Sequence, residues 1–262
     1  MTRLTMYQVD AFTSKLFGGN PAAVLILDEW LPDVTMQAIA GENNLAETAF
    51  ARRSGDGWDL RWFTPVREAD FCGHATLATS HVLAHELGVA GELAFQTKVG
   101  TLRVTCKNSN YRLDLPSFPP QEIGDLSGPL ENALGSSFRA AFRNFENLFV
   151  ELEDEQALRS FEPDFLRIEQ LSPFGLAITA RGDAFDFVSR YFAPHAGIPE
   201  DPVTGSTHST LTPYWADKLG KTSLSAFQCS RRGGQLQCEL AGDRVLITGS
   251  AVTYMKADIY LP

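Results

Sequence analysis

Cysteine is scarce in this chain and carries no metal-site spacing. The four cysteines, Cys72, Cys106, Cys229 and Cys238, include no C-x-x-C pair, so neither a zinc centre nor a disulfide framework is expected. Basic clusters are lacking as well. Lysine and arginine number 22 against 32 acidic residues, a formal net charge of -10, and the only dense basic spot is Arg231-Arg232. A nucleic-acid or anionic-membrane surface needs a clustered basic face, so neither partner is expected. No apolar run approaches the ~20 residues that span a bilayer. The residues around Asp10 do not read as a secretory signal, and the cytoplasm is the expected location. Three loop motifs are also missing: G-x-G-x-x-G after a strand, G-x-x-x-x-G-K-[ST] and G-x-S-x-G. Dinucleotide sites, nucleotide-phosphate sites and the usual hydrolase elbow therefore lack their loops.

What is present is a chain of 262 residues, 44% hydrophobic, long enough for one large domain or two ordinary ones with a substantial core. Its most informative stretch is Phe71-Cys72-Gly73-His74-Ala75-Thr76, which opens an apolar-periodic run carrying Leu77, Val82, Leu83 and Leu87 inward. Glycine admits a close backbone approach, the imidazole titrates near neutrality and a helix start offers free amides, together a compact site for an anion. Asp201-Pro202-Val203-Thr204-Gly205-Ser206-Thr207-His208 repeats the device, with a second helix expected from Gly205-Ser206 and stopped by Gly220. Two such helix starts suit a small carboxylated molecule.

Around these motifs the chain reads as short strands. Strands are expected at 4–12, 22–27, 60–65, 93–97, 101–106 and 111–115, with a helix capped by Asp33 and ended by Asn43-Asn44. Pro116-Ser117-Phe118-Pro119-Pro120 is the best domain boundary. Beyond it come a helix opening at Pro129 and stopped by Gly135, a helix start at Glu153-Asp154-Glu155, and strands at 147–152, 174–180, 185–192, 225–230, 235–240, 244–249 and 252–261. The pattern describes an α+β protein, each half a mostly antiparallel sheet wrapped on one helix.

Glu47 stands in the apolar frame Leu45-Ala46 and Thr48-Ala49-Phe50. It is either a strand-edge side chain facing outward or a general base whose pKa is raised by desolvation. His81 and His85, spaced i,i+4, are read as a solvated or core-lining pair rather than as metal ligands. No metal is expected.

With these residues laid out, the chain resembles the phenazine-biosynthesis F-like (PhzF) family of isomerases, within the diaminopimelate epimerase-like superfamily. The resemblance rests on Val9-Asp10-Ala11-Phe12-Thr13, Gly19-Asn20-Pro21-Ala22-Ala23-Val24, Asn44-Leu45-Ala46-Glu47-Thr48-Ala49-Phe50, Leu60-Arg61-Trp62-Phe63-Thr64-Pro65, Cys72-Gly73-His74-Ala75-Thr76, Glu200-Asp201-Pro202-Val203-Thr204-Gly205-Ser206 and Gln228-Cys229-Ser230-Arg231-Arg232-Gly233-Gly234. It implies two similar domains, 1–116 and 117–251, each a curled antiparallel sheet around a central helix, with the strand 252–262 completing the first and the active site in the cleft between them. It also implies cofactor-free isomerisation of a dihydro-hydroxyanthranilate-like carboxylate, with Glu47 as acid/base and His74, Asp201 and Ser206 as further catalytic residues. Asn20, Gly73, Ala75, Thr76, Thr204 and Gly205 are then the expected substrate-binding residues, and a homodimer is expected. Two rival readings stand beside this one. The first is an amino-acid racemase using Cys72, in the place of one epimerase thiol, with a carboxylate as its second base. The second is a catalytically silent metabolite binder on the same fold.

Overall fold

The computed structural model describes residues 2–135 and 137–261. Met1, Ser136 and Pro262 lie outside the described residues, and with Pro262 the end of the expected strand 252–262. The chain forms two compact units, Met1–Asp114 with Thr248–Pro262, and Leu115–Ile247. No helix among the described residues is long and apolar enough to cross a membrane.

In the first unit β1 (Thr2–Ala11) lies antiparallel to β2 (Asn20–Leu27), and α1 (Asp33–Asn43) carries the chain across to β3 (Glu47–Ser54), parallel to β2. Met36, Ile39 and Ala40 of α1 are buried, and the helix ends on Asn44 in the left-handed conformation, which asparagine tolerates. β4 (Gly57–Phe63) returns antiparallel to β3, and the two-residue β5 (Glu68–Ala69) pairs with its end. α2 (Gly73–His81) then crosses to β6 (Glu92–Thr97), parallel to β4, and β7 (Gly100–Lys107) and β8 (Asn110–Pro116) follow as hairpins. The β7–β8 turn is Asn108-Ser109 with φ of 49° and 59°, the doubly positive geometry that matches strand twist.

The second unit contains α3 (Ser127–Leu134), β9 (Ala140–Arg143), β10 (Asn147–Glu151), α4 (Glu155–Ser160), α5 (Phe165–Glu169), β11 (Gly175–Arg181), β12 (Phe187–Ala193), β13 (Ile198–Asp201), α6 (His208–Leu219), β14 (Ser223–Gln228) and β15 (Gly234–Ala241), then enters β16 (Arg244–Leu261). Its sheet runs β9-β10-β11-β12-β14-β15, with β13 on the free stretch of β12. α6 contains Pro213, which cannot donate to the carbonyl four residues back. That carbonyl, on Ser209, accepts the Phe118 amide at 2.9 Å instead. A helix interruption thereby anchors the proline-rich segment that opens this unit.

Closure of the first unit is the work of β16. It pairs antiparallel with β1 from Thr2↔Leu261 to Ala11↔Ala251 and neighbours β8 at the other end of the order β1-β2-β3-β4-β6-β7-β8. The strands make a ring around α2, whose residues are all buried. A helix in that position must be thin and polar-satisfied, and Gly73-His74-Ala75-Thr76-Leu77-Ala78-Thr79-Ser80 is both. The hydroxyls of Thr76, Thr79 and Ser80 donate to carbonyls four residues back at 2.6, 2.7 and 2.8 Å.

Four expectations are corrected. Asp33 does not cap α1: it is the first helical residue, behind Pro32, and its carboxylate meets Arg61 at 2.9 Å rather than a helix amide. Strands 244–249 and 252–261 are one continuous strand, because Gly249 does not break the ladder. It makes room for Phe12, whose ring carbon would lie 2.4 Å from an added Cβ. The helix after Gly73 does not keep its phase to Leu87: it winds as a π-turn over Val82–Glu86, and Leu87 ends 47% exposed. The second helix starts at His208 rather than Gly205-Ser206, which lie in a turn closed by His208 N–H on the Gly205 carbonyl at 3.1 Å.

The turn before β2 has little tolerance. Gly19 has φ 61°, and a Cβ there would sit 2.0 Å from the Ala11 carbonyl oxygen. Gly19→Ala is expected to destabilise the protein by at least about 1–3 kcal/mol in denaturant titrations. Wild-type stability in that variant would show the turn to be more plastic than this geometry allows.

Candidate active site

The first unit brings Asn20, Glu47, Cys72 and His74 together. Asn20 opens β2, Glu47 opens β3 next to it, with Ala22 opposite Glu47 in the parallel register, and Cys72-Gly73-His74 begins α2. Glu47 is drawn inward because its strand starts where the left-handed Asn44 ends α1, and the Asn43 amide donates to the Thr48 hydroxyl at 3.0 Å. The glutamate is 8% exposed, His74 4%, Cys72 5% and Asn20 0%. Of the two readings of Glu47, the outward strand-edge position is the one this burial removes.

His74 is the hub. Its Nε2 lies 3.1 Å from Glu47 Oε2, its Nδ1 3.1 Å from the Asn20 side-chain amide, and Cys72 Sγ stands 3.5 Å from Nδ1 and 3.9 Å from Nε2. The Glu47–His74 approach is close without the alignment of a hydrogen bond, so Glu47 Oε2 is buried without a hydrogen-bond donor. Burial opposes charge on the imidazole, whereas Cys72 where it is ionised, and the Glu47 carboxylate, raise its pKa above the ordinary histidine range. The Asn20 amide nitrogen faces Nδ1, and an imidazolium, which donates from both nitrogens, would require the amide turned over to present its oxygen. Burial first, and then the Glu47 charge, push the Cys72 thiol up to about 11, against the opposing effects of His74 and the Ala75 amide. The sulfur is therefore a neutral thiol near pH 7.

The second unit assembles a different arrangement from Asp201, Thr204 and Gln228. Asp201 ends β13, and the Thr204 hydroxyl donates to its carboxylate. The Gln228 side chain, wholly buried at the end of β14, donates to the Asp201 carbonyl at 2.8 Å and accepts from the Thr204 amide at 2.9 Å. His208 Nδ1 donates to the Thr204 carbonyl at 2.8 Å, and burial lowers its pKa to about 4, so this ring is neutral. β13 is itself tied down: Arg190 of β12 holds Glu200 through two nitrogens at 2.7 and 3.1 Å.

The expected residues thus fall into sets with different commitments. Glu47, His74 and Asn20 are mutual neighbours, and Gly73 and His74 present first-turn amides of α2, which no helical carbonyl can engage. Ala75 is buried inside the helix start, and the Thr76 hydroxyl is spent on the Cys72 carbonyl at 2.6 Å. Asp201 and Thr204 bond each other, Gly205 is buried in the turn before α6, and the half-buried Ser206 enters none of these bonds. Gln228 and Arg190 were not read from the sequence as site residues. Their role is tertiary, and the only sequence signal was a glutamine at the end of an apolar strand.

The sequence profile described as "Phenazine biosynthesis-like protein" matches residues 9–257. A Pseudomonas aeruginosa protein named as an uncharacterized isomerase is 49% identical over 260 residues, covering 99% of both chains. A crystal structure of an Enterococcus faecalis phenazine biosynthesis protein of the PhzF family superposes with a TM-score of 0.95 at 47% identity, covering 99% of this chain and 100% of that one. A hydroxyproline epimerase of Agrobacterium vitis shares the fold, with a TM-score of 0.64 at 10% identity over 98% of this chain and 92% of that one. The α+β, epimerase-like fold expected from the sequence is the fold observed.

The buried histidines give the protein a defined acid response. Burial holds His208 and His81 near 4 in the folded state, against an ordinary value of 6.5. The unfolded chain takes up these protons first, so the penalty is absent above about pH 6.5 and grows as pH falls towards 4. Each should cost about 2 kcal/mol of stability between pH 7 and 5. His74, raised instead, stabilises below its ordinary value and loses that contribution as pH rises through its folded value. Denaturant titrations of wild type and His208→Gln at pH 7 and 5 should show a smaller acid loss in the variant. Equal losses would mean that His208 is not the neutral buried group described.

Proposed function

The chain belongs to the phenazine biosynthesis-like (PhzC-PhzF) family, and we propose that it is a cofactor-free isomerase that moves a proton between two carbons of a small carboxylated substrate, with Glu47 as the general base and acid. The observation that carries this reading is the buried Glu47 carboxylate set 3.1 Å from the His74 imidazole at the start of α2. The Glu47 Oε2 has no aligned donor to compete with a substrate C–H.

In the forward direction Glu47 takes a proton from a carbon activated by conjugation. The C–H electron pair moves into the conjugated system, and the same carboxyl group then protonates a different carbon. Nothing is oxidised and no atom is lost. The His74 imidazolium and the first-turn amides of α2 face the negative charge that develops, where preorganised donors are most effective. Asn20 keeps the imidazole oriented. Within the second unit, Asp201, Thr204 and Ser206 stand on a loop braced by Gln228 that offers fixed donors and acceptors. A dihydro-hydroxyanthranilate-like compound fits these requirements because it carries a carboxylate, an acidifiable ring carbon and polar substituents. The two-thiol form of the racemase alternative is disfavoured because no cysteine stands between Asp201 and Ser206 to pair with Cys72.

Incubation with 2,3-dihydro-3-hydroxyanthranilate in D₂O, followed by NMR of the ring protons, tests the reading. Wild type should isomerise the compound or exchange a ring proton for deuterium. Glu47→Gln should lose about 10²- to 10⁴-fold in kcat while substrate binding changes little. Exchange that survives in Glu47→Gln and disappears in Cys72→Ser would overturn the assignment and favour the thiol.

A further inference from the structure

Cys72 has no part in this proton transfer, yet its sulfur completes a donor set with the two residues that do. We propose that Glu47, Cys72 and His74 form a binding site for one thiophilic divalent cation, of the zinc or cadmium type. One carboxylate oxygen, one thiol sulfur and one imidazole nitrogen from these residues all lie within 4.8 Å of one another, and all three residues are buried. Tetrahedral zinc, with bonds near 2.0–2.3 Å, places its ligand atoms roughly 3.3–3.6 Å apart. The separations here are 3.1 Å from Glu47 Oε2 to His74 Nε2 and 3.9 Å from Cys72 Sγ to the same nitrogen. The third pair, a Glu47 oxygen and Cys72 Sγ, lies within 4.8 Å, and side-chain rotation would draw the three donors onto one ion.

Two further observations point the same way. The Glu47 Oε2 atom is buried with no hydrogen-bond donor aligned to it, so an ion would gain an acceptor the protein does not already use. Asn20 stands 3.1 Å from the far nitrogen of His74, the place of the outer group that orients a ligating imidazole. The Asn20 amide nitrogen faces Nδ1 here, and turning the amide over to present its oxygen would fix the proton at Nδ1 and leave Nε2 for the metal.

Binding breaks the Cys72 S–H bond and forms a sulfur–metal bond, releasing that proton to solvent. His74, if protonated, releases its Nε2 proton as well. The fourth position belongs to water. Cation affinity should therefore rise with pH. Where the reading of Glu47 as the base holds, an ion at this site removes the base and stops exchange. The binding itself does not depend on that reading and is measured without substrate.

The test is a titration of the intact protein, kept reduced with a non-thiol reductant, with Cd²⁺, followed by the thiolate-to-cadmium charge-transfer absorption. One equivalent should be taken up and displaced by Zn²⁺. Cys72→Ser should abolish the band, whereas Cys106→Ser with Cys229→Ser should retain it. Glu47→Gln and His74→Asn should each weaken binding by at least about 10- to 100-fold, no less than the loss of an outer-shell partner. A band that persists in Cys72→Ser, or that keeps its affinity in both Glu47→Gln and His74→Asn, would reduce the site to simple thiol adducts. Absence of any saturable band in wild type would also overturn it. Failure of metal binding with D₂O exchange intact would reject this inference alone; failure of exchange with binding intact would reject only the catalytic assignment.

Discussion

A helix enclosed by a closed ring of strands has to satisfy its polar groups without water, and the first unit depends on that constraint. α2 meets it with residues too small to push the strands apart and with hydroxyls that fold back on their own carbonyls. At its far end His81 bonds Tyr111 and Thr253, each at 2.9 Å, so the histidine there is a fully partnered core residue. At its near end the first-turn amides have no carbonyl to meet, and chemistry gathers where the helix cannot satisfy itself. Glu47 and His74 sit at that unsatisfied end. The closing strand β16 matters because it makes the helix interior rather than a surface element.

The two clusters of polar residues differ in kind. Around His74 the groups carry charge: a carboxylate and an imidazole whose positive form it supports, with a thiol held neutral by burial. Such a cluster is costly to bury, and its position at rigid strand and helix starts is what keeps the groups at bonding distance. Around Thr204 the connecting groups are an amide side chain, backbone and a neutral histidine, bound to each other and to the single carboxylate of Asp201. That arrangement fixes a loop. The first is suited to moving protons, the second to presenting fixed donors and acceptors.

Much of the fold was legible in the sequence. Alternation and turn glycines located most strands, and the Gly73 and Gly220 signals correctly marked a helix start and a helix stop. The errors have physical causes. A π-turn shifts side-chain phase by one residue, which no 3.6-residue pattern anticipates, and Leu87 was assigned inward for that reason. Gly205-Ser206 has the composition of a helix cap, but the carbonyl of Gly205 is used in a preceding turn, and the helix begins at His208. A glycine inside a strand reads as a break unless the bulk of its neighbour is known, and Phe12 against Gly249 is a tertiary fact. Among the site residues, the inward direction of Glu47 and the bracing by Gln228 were beyond the reach of sequence, because both follow from pairing between distant strands.

Satisfaction of hydrogen bonds separates the residues that hold the fold from those left over for a ligand. Thr76 and Thr207 have the composition of binding residues, yet their hydroxyls are committed to the carbonyls of Cys72 and Thr204. A substrate could take a hydrogen bond from them only by breaking one that the buried backbone needs, although each oxygen can still accept. Glu47 is under no such obligation: its Oε2 atom is buried near a charge but unaligned with any donor. An oxygen left in that state is open to a ligand that brings it a donor or a cation. The same imbalance that makes Glu47 an acceptable proton carrier also makes it, with Cys72 and His74, a metal ligand. Proton transfer and cation capture, as proposed, would draw on the same Glu47 oxygen and so exclude one another.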